Sequence, residues 1–236
     1  MYIRGLQATN VTLHNDHPLV TTGGSFYFTL DDEYLRVPAS SDWAVRTNDF
    51  TIEWFHYQFD NDAGAFPRIF TIGSYPSSAI SVHTELDNFI VTLNGVDVLS
   101  TPLPSGWYEN WHHYAVVRAS GQLTVYQDGV GLKTVADSTD VTDMSDYLYI
   151  GVDLAYQSLT RFHGALTNFH FVNGTAIYTG NFTPPHSPIQ PISASKLLLL
   201  AKTPEFLTLD SSGTNKIVYD NSSAVIWQPD SPFTPS

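Results

Sequence analysis

The side chains of this sequence that can do chemistry fall into three groups, none of them a complete catalytic set. Oxygen donors crowd two turn-like stretches, Asp60-Asn61-Asp62 and a second one carrying Asp137, Asp140, Asp143 and Asp146. A hard cation such as calcium wants several carboxylate, amide and carbonyl oxygens at once. Asp60, Asn61, Asp62, Asp140 and Asp143 are therefore the candidate calcium ligands, with Asp60 and Asp62 expected to hold the ion. The same acidic turns would equally solvate loops and cap strands. Aromatic rings form the second group. Tyr75, Trp107, Tyr108 and Tyr156 lie in or beside segments containing Gly, Pro or Ser, where loop tips are expected. An exposed ring there can stack on the C–H face of a sugar, and it would equally serve as a lid over a sheet edge or as a subunit contact. Histidines form the third group. His112 and His113 are adjacent, and neighbours on a strand point to opposite faces, so one ion cannot readily use both. His14 and His17 stand at helical spacing without an accompanying carboxylate motif, as in an exposed loop.

Nucleophilic chemistry is less well provided. There is no Gly-x-Ser-x-Gly elbow and no phosphate-binding glycine loop, and the lone Gly129-x-Gly131 belongs to a hairpin. The absence of cysteine removes thiol catalysis, thiolate metal sites and disulfides. Such a chain folds in a reducing compartment or needs no staples.

The elements that must position these groups are strands. Segments rich in Thr, Val, Ile, Tyr and Phe recur with a period of two, bounded by turn residues. In Phe50 to Phe59, Phe50, Ile52 and Trp54 alternate with Phe55, Tyr57 and Phe59, so bulk on both faces predicts a strand covered on both sides or lining a groove. His113 to Arg118 and Leu123 to Tyr126 flank the short Ala119-Ser120-Gly121 turn. Asn94-Gly95, Asp128-Gly129 and Asn173-Gly174 read as type I′ hairpin turns, because Asn or Asp before Gly tolerates positive φ. Trp54 and Trp111 read as core. No stretch carries a sustained helical period, which predicts an all-β antiparallel sandwich with at most a helical turn or two.

The chain of 236 residues can bury a large core. One domain over residues 1–236 is expected, with a core at 25–185, an N-terminal strand segment at 1–24 and a C-terminal extension at 186–236. A piece as short as that extension is marginal alone without staples. Its strand-like parts, Lys196 to Ala201, Ile217 to Tyr219 and Val225 to Trp227, are expected to pair back into the main sheets. Ten Lys and Arg stand against 23 Asp and Glu, a net charge of −13, and the basic residues are scattered singly. This excludes a duplex-binding surface. The N-terminus lacks a basic region followed by an apolar one, so no signal peptide is expected. The longest aliphatic run, Leu197 to Ala201, is far too short to span a bilayer.

At this point the residues resemble a family. Glu33-Tyr34-Leu35-Arg36-Val37-Pro38, followed by Asn48 to Phe55, looks like the opening of a laminin G-like, concanavalin A-like domain. Trp111 to Arg118 with Leu123 to Val130 is similar to that family's central hairpin. Leu148-Tyr149-Ile150-Gly151 and Phe162 to Phe169 fit its closing strands. A narrower likeness, in Asn173 to Thr179, Asn181-Phe182-Thr183-Pro184-Pro185, Lys196 to Leu199, Asp210-Ser211-Ser212-Gly213 and Ser231-Pro232-Phe233, is to the version found in structural proteins of marine and cyanobacterial bacteriophages.

The resemblance implies a concanavalin A-like jelly roll and a non-enzymatic virion protein: a capsid decoration or a tail or fibre component that touches host-surface glycan. Its partners would be other virion proteins and copies of itself, in a homo-oligomer such as a trimer, with neither nucleic acid nor membrane insertion. Pentraxin-like relatives place calcium at one rim of the sandwich, beside the ligand site. A free-standing bacterial lectin or carbohydrate-binding module is the alternative. Glycosidases of this fold carry Glu-x-Asp-x-x-Glu, or a version one residue shorter, on one strand. Glu85-Leu86-Asp87 matches the first half, but the acid position holds Ile90, or Phe89 in the shorter version. Without a proton donor the leaving group is not activated, so hydrolysis is not expected.

Overall fold

The computed structural model describes residues 23–29, 33–59, 66–142, 146–221 and 225–233. Their order is β1 (Ser25–Phe28), β2 (Leu35–Val37), β3 (Phe50–Gln58), β4 (Arg68–Ile72), β5 (Ile80–Glu85), β6 (Asn88–Leu93), β7 (Val96–Pro102), β8 (Trp111–Ala119), β9 (Gln122–Gln127), β10 (Val130–Ala136), β11 (Leu148–Ile150), β12 (Gly164–Asn173), β13 (Ser195–Leu199), β14 (Tyr219–Asp220) and β15 (Ile226–Gln228). One α-helical turn, α1 (Gln157–Thr160), and short 3-10 turns at Ser41–Trp43, Leu154–Tyr156 and Pro204–Phe206 complete them.

All the strand pairings are antiparallel, in two sheets. The larger runs β10-β9-β8-β3-β12-β1-β15, with β13 also on β12; the smaller runs β14-β2-β11-β4-β5-β6-β7. The inward faces enclose one core, centred on fully buried Trp54 of β3. Its indole is ringed by Tyr114 and Phe169 from its own sheet and by Phe70 and Phe89 from the other. The architecture is an all-β sandwich.

Turn chemistry fixes the register. Asn94-Gly95, Ser120-Gly121 and Asp128-Gly129 have positive φ at both residues, as a I′ turn requires. Asn173-Gly174 departs from that expectation. Only Gly174 has positive φ, no strand follows at once, and the Asn173 amide donates to the carbonyls of Asp42 and Ala44 instead.

The chain then crosses the outer face of the larger sheet without regular structure, from Gly174 to Ala194. Tyr178 and Phe182 stack on each other with ring centroids 3.5 Å apart and pack with Ala176 over Ala115, Val117 and Tyr126. Ile189 joins Phe55, Leu198 and Leu200, with Phe233 and the half-buried Trp111 at the margin. This strap accounts for the bulk on both faces of β3. The last strands pair into both sheets: β13 with β12, β14 with β2 and β15 with β1.

Candidate functional site

Among the described residues, no second layer of strands covers the outer face of β4 to β7. Arg68 of β4 stands opposite His83 of β5, and Ser81 of β5 opposite Thr92 of β6, which in turn faces Asp97 of β7. Because alternate residues share a face, this register gathers Arg68, His83, Thr92 and Asp97 on one outer surface, with Glu85 at the end of β5. Two loops raise walls around it: residues 73–79 between β4 and β5, and residues 151–163 between β11 and β12. The result is a cleft of about 350 Å³ lined by these side chains with Phe66, Tyr75, Ser78, Tyr156, Leu159 and Thr160. That is at the small end of ligand pockets, roughly 300–1,000 Å³.

Asp153 holds the walls together. Its carboxylate, fully buried, accepts the Tyr75 N–H at 2.8 Å and the Ala155 N–H at 3.1 Å. The Thr160 hydroxyl donates to the Asp153 carbonyl and accepts the Asp153 N–H, and the Phe66 N–H reaches the Leu159 carbonyl. Tyr75 and Tyr156 meet edge to face with centroids 5.6 Å apart, 51% and 47% exposed. The sequence placed these two tyrosines at loop tips; the fold makes them one rim.

The floor is charged and polar. Arg68 is only 7% exposed. Its Nη1 donates to the Phe66 carbonyl at 3.2 Å, while Nε has no partner. Burial pulls its pKa down, against the opposing pull of Asp153, Asp97 and Glu85. His83, 4% exposed, likewise has an unpartnered Nδ1. Burial, with the Arg68 charge adding to it, pushes its pKa down to about 3, so the ring is neutral. Asp97 is exposed and accepts the Thr92 hydroxyl at 2.7 Å. Neutral donors and acceptors, opposite charges and aromatic faces in one cleft suit a hydroxyl-rich ligand.

The other two aromatic candidates are elsewhere. Trp107, expected on a loop tip, is 3% exposed and belongs to the core. Its N–H donates to Asp87 at 3.0 Å, so the loop before β8 turns the indole inward as a plug. Tyr108 is half-buried against it. Neither lines the cleft. Of the candidate calcium ligands, Asp60, Asn61, Asp62 and Asp143 lie outside the described residues. Asp140 pairs with Arg46 at 3.3 Å, Asp137 with buried Arg118 at 2.8 Å, and Asp146 accepts the N–H of Tyr147. Among the described residues no cluster of three or more His, Asp or Glu is arranged to hold a metal. Glu85 ends β5 and Asp87 lies in the tight turn after it, with Leu86 and Asp87 both at positive φ, so the two do not share one strand face as the glycosidase pattern needs.

A second polar cluster lies beneath the strap. Glu53 of β3, 1% exposed, accepts from His113 Nε2 at 3.0 Å, His170 Nδ1 at 2.8 Å and the Tyr178 hydroxyl at 2.7 Å. The far nitrogen of His170 faces the Ser195 hydroxyl at 2.7 Å, which in turn accepts the Ile192 N–H at 2.9 Å. Glu, His and Ser in series have the connectivity of an activated nucleophile. Here Ser195 is 2% exposed and its oxygen is engaged by the strap's backbone, so no substrate reaches it, and the cluster is a clamp. Burial pushes the Glu53 carboxyl up, and the hydrogen bonds from His113 and His170 more than offset it, holding it at about 2. His112 points to the other face of β8, bonded to Asp128 and the Gly106 carbonyl.

The model of the concanavalin A-like lectin/glucanases superfamily matches residues 23–177. The chain belongs to this superfamily. No curated protein matches it. Among solved structures it is similar to a Bacteroides ovatus protein described as carbohydrate binding, with a TM-score of 0.64 and 13% identity over 87% of this chain and 59% of that one. The chain thus spans about three fifths of that protein. A heptameric SAP-like pentraxin from Limulus polyphemus has a TM-score of 0.49 and 16% identity over 67% of this chain and 79% of its own. Domains LG4-5 of the mouse laminin alpha1 chain have a TM-score of 0.49 and 15% identity over 69% and 47%. Identities this low speak for the fold alone.

Proposed function

We propose that this superfamily member binds glycan without cleaving it, in the cleft on the outer face of β4 to β7. The observation that carries the reading is the convergence of the exposed Tyr75–Tyr156 rim with a floor of buried, incompletely bonded Arg68 and His83. Rings supply the apolar platform, and the floor supplies orienting hydrogen bonds. Hydrolysis would need a carboxyl poised to protonate a leaving oxygen. Asp97 is exposed to water with the Thr92 hydroxyl upon it, and Asp87 is taken by Trp107. Display on a bacteriophage particle as a self-associating head facing host-surface glycan rests on the sequence resemblance, and subunit mass at micromolar concentration is its first check.

A glycan array, run with calcium and again with chelator, tests the reading. Binding is expected, and Tyr75→Ala or Tyr156→Ala should weaken it roughly tenfold, the loss of one aromatic contact, with the melting temperature unchanged. Silence across the array, or binding indifferent to both tyrosines, removes the cleft as a glycan site. Loss of binding in chelator would bring Asp60 and Asp62 forward as calcium ligands; binding that ignores chelator would retire them.

A further inference from the structure

The fold buries two arginines and treats them oppositely. Arg118 of β8, fully buried, donates through Nε to the Asn48 carbonyl, through Nη1 to Asp137 and the Thr139 carbonyl, and through Nη2 to the Arg46 carbonyl. It also lies over the Phe50 ring. Every edge of that guanidinium is used. Arg68, nearly as deep, makes one hydrogen bond, from Nη1 to the Phe66 carbonyl. It forms no ion pair among the described residues. The buried carboxylate nearest in charge, Asp153, has both oxygens committed to backbone N–H groups. Nε therefore has no acceptor and Nη2 none among the described residues, and this is the edge with which a guanidinium grips a planar carboxylate through two parallel bonds.

Asp153, Asp97 and Glu85 act on Arg68 only through space; a buried guanidinium with bonds unmade is costly and cannot escape by losing its proton. A group placed this way at the floor of an open cleft is completed by what enters. We propose that the cleft recognises a sugar bearing a carboxylate, a uronic or similar acidic residue, whose carboxyl group docks on the free edge of Arg68. This rests on the glycan reading above and narrows it. The neutral His83 ring beside Arg68 has a buried nitrogen without a partner, which a neighbouring hydroxyl would complete, and Tyr75 and Tyr156 cover the sugar face. Glu85 and Asp97 set the limit. Both line the cleft and repel an anion, so they exclude heavily charged polymers and favour a single acidic residue among neutral ones.

The experiment titrates wild-type protein with matched oligosaccharides: uronic acid oligomers, and the same oligomers with each carboxyl reduced to a hydroxymethyl. The acidic member should bind roughly tenfold tighter or more, the scale of a charge-assisted bond against a neutral one. Arg68→Gln should erase that difference while leaving weak binding of the reduced member. Glu85→Gln should tighten the acidic member alone, and as Glu85 is partly exposed this variant keeps the test open if Arg68→Gln does not fold. Equal or tighter binding of the reduced oligomer, or a preference that survives Arg68→Gln, overturns the carboxylate assignment and leaves the cleft a neutral-glycan site. If neither member binds, and the array is also silent, the underlying glycan reading fails with it.

Discussion

The two sheets of this sandwich carry the same kinds of residue on their outer faces and finish them differently. On the larger sheet, Glu53, His113 and His170 are covered by the strap, and every oxygen of Glu53 has a donor, with His113 Nδ1 the one polar atom of these three side chains left without a partner. On the smaller sheet, Arg68 and His83 are almost as deeply set, no strap among the described residues crosses them, and a nitrogen of each has no partner. A buried polar group whose bonds are all made holds architecture together; one left incomplete at an open surface is where a ligand finishes the structure.

Removing Glu53 should break the finished side most severely. Glu53→Ala strands three donors under the strap, and truncating one partner of a buried charged set costs about 3–5 kcal/mol, roughly 10 °C in melting temperature for a chain of this size. Thermal or urea unfolding reads this directly. If the variant melts like wild type, the clamp is not what holds the strap.

Acid should reach both sides. The Glu53 carboxyl titrates at about 2 in the fold against 4.5 as a free side chain. Its contribution is complete above pH 4.5 and is lost as pH falls through about 2. His83, and His56 in the core, are held neutral by burial with pKa values near 3 against 6.5. Protonating them favours the unfolded chain, so each removes stability as pH falls from 6.5 towards 3, at up to about 1.4 kcal/mol per pH unit. Chemical denaturation midpoints should therefore decline from pH 6.5 downward and steepen below pH 4.5; a flat profile between pH 7 and 4 would contradict the burial of these rings.

The smallest effect sharpens the contrast because its sign is opposite. Arg68→Met replaces a buried charge that has no contact ion pair among the described residues with an apolar chain of similar length, and such exchanges are neutral or stabilising by about 1 kcal/mol or more. The variant should melt no lower than wild type while losing preference for an acidic ligand. The corresponding change at Arg118, whose every bond is made, should destabilise.

Much of the fold was legible in advance because it depends on local pattern. The alternation in Phe50 to Phe59, the Asn-Gly and Asp-Gly turns and the low charge all lead to an antiparallel sandwich, and the family blocks follow the order in which the strands occur. Asn173-Gly174 misled because the dipeptide reports only on its own φ values; the chain becomes the strap at once, and the partner strand β13 follows only some twenty residues later. The site was half legible. Tyr75 and Tyr156 carried a loop signal that the fold honours, but their meeting depends on Asp153, an unremarkable acid whose role exists only once two distant loops are adjacent. Trp107 carried the same signal and is buried, since a loop with Pro104, Ser105 and Gly106 before the indole can turn its ring inward as easily as out. Arg68, His83, Thr92 and Asp97 are separated in sequence and joined only by strand register, which single-strand periodicity does not reveal.

The pairing of β14 with β2 and of β15 with β1 also sets a schedule. As the chain emerges from the ribosome, β1 and β2 are made first, yet each waits for a partner near the far end of the sequence. Until Tyr219–Asp220 is synthesised for β2, and Ile226–Gln228 for β1, one side of each of these early strands offers bare N–H and C=O groups to whatever passes, and long-range pairing of this kind is slow to form. The interval between first and last strand is thus the time when this protein most needs to be kept from its own neighbours on the same message. A synonymous-codon change that slows translation of residues 200–225 should cost soluble yield without altering the finished molecule.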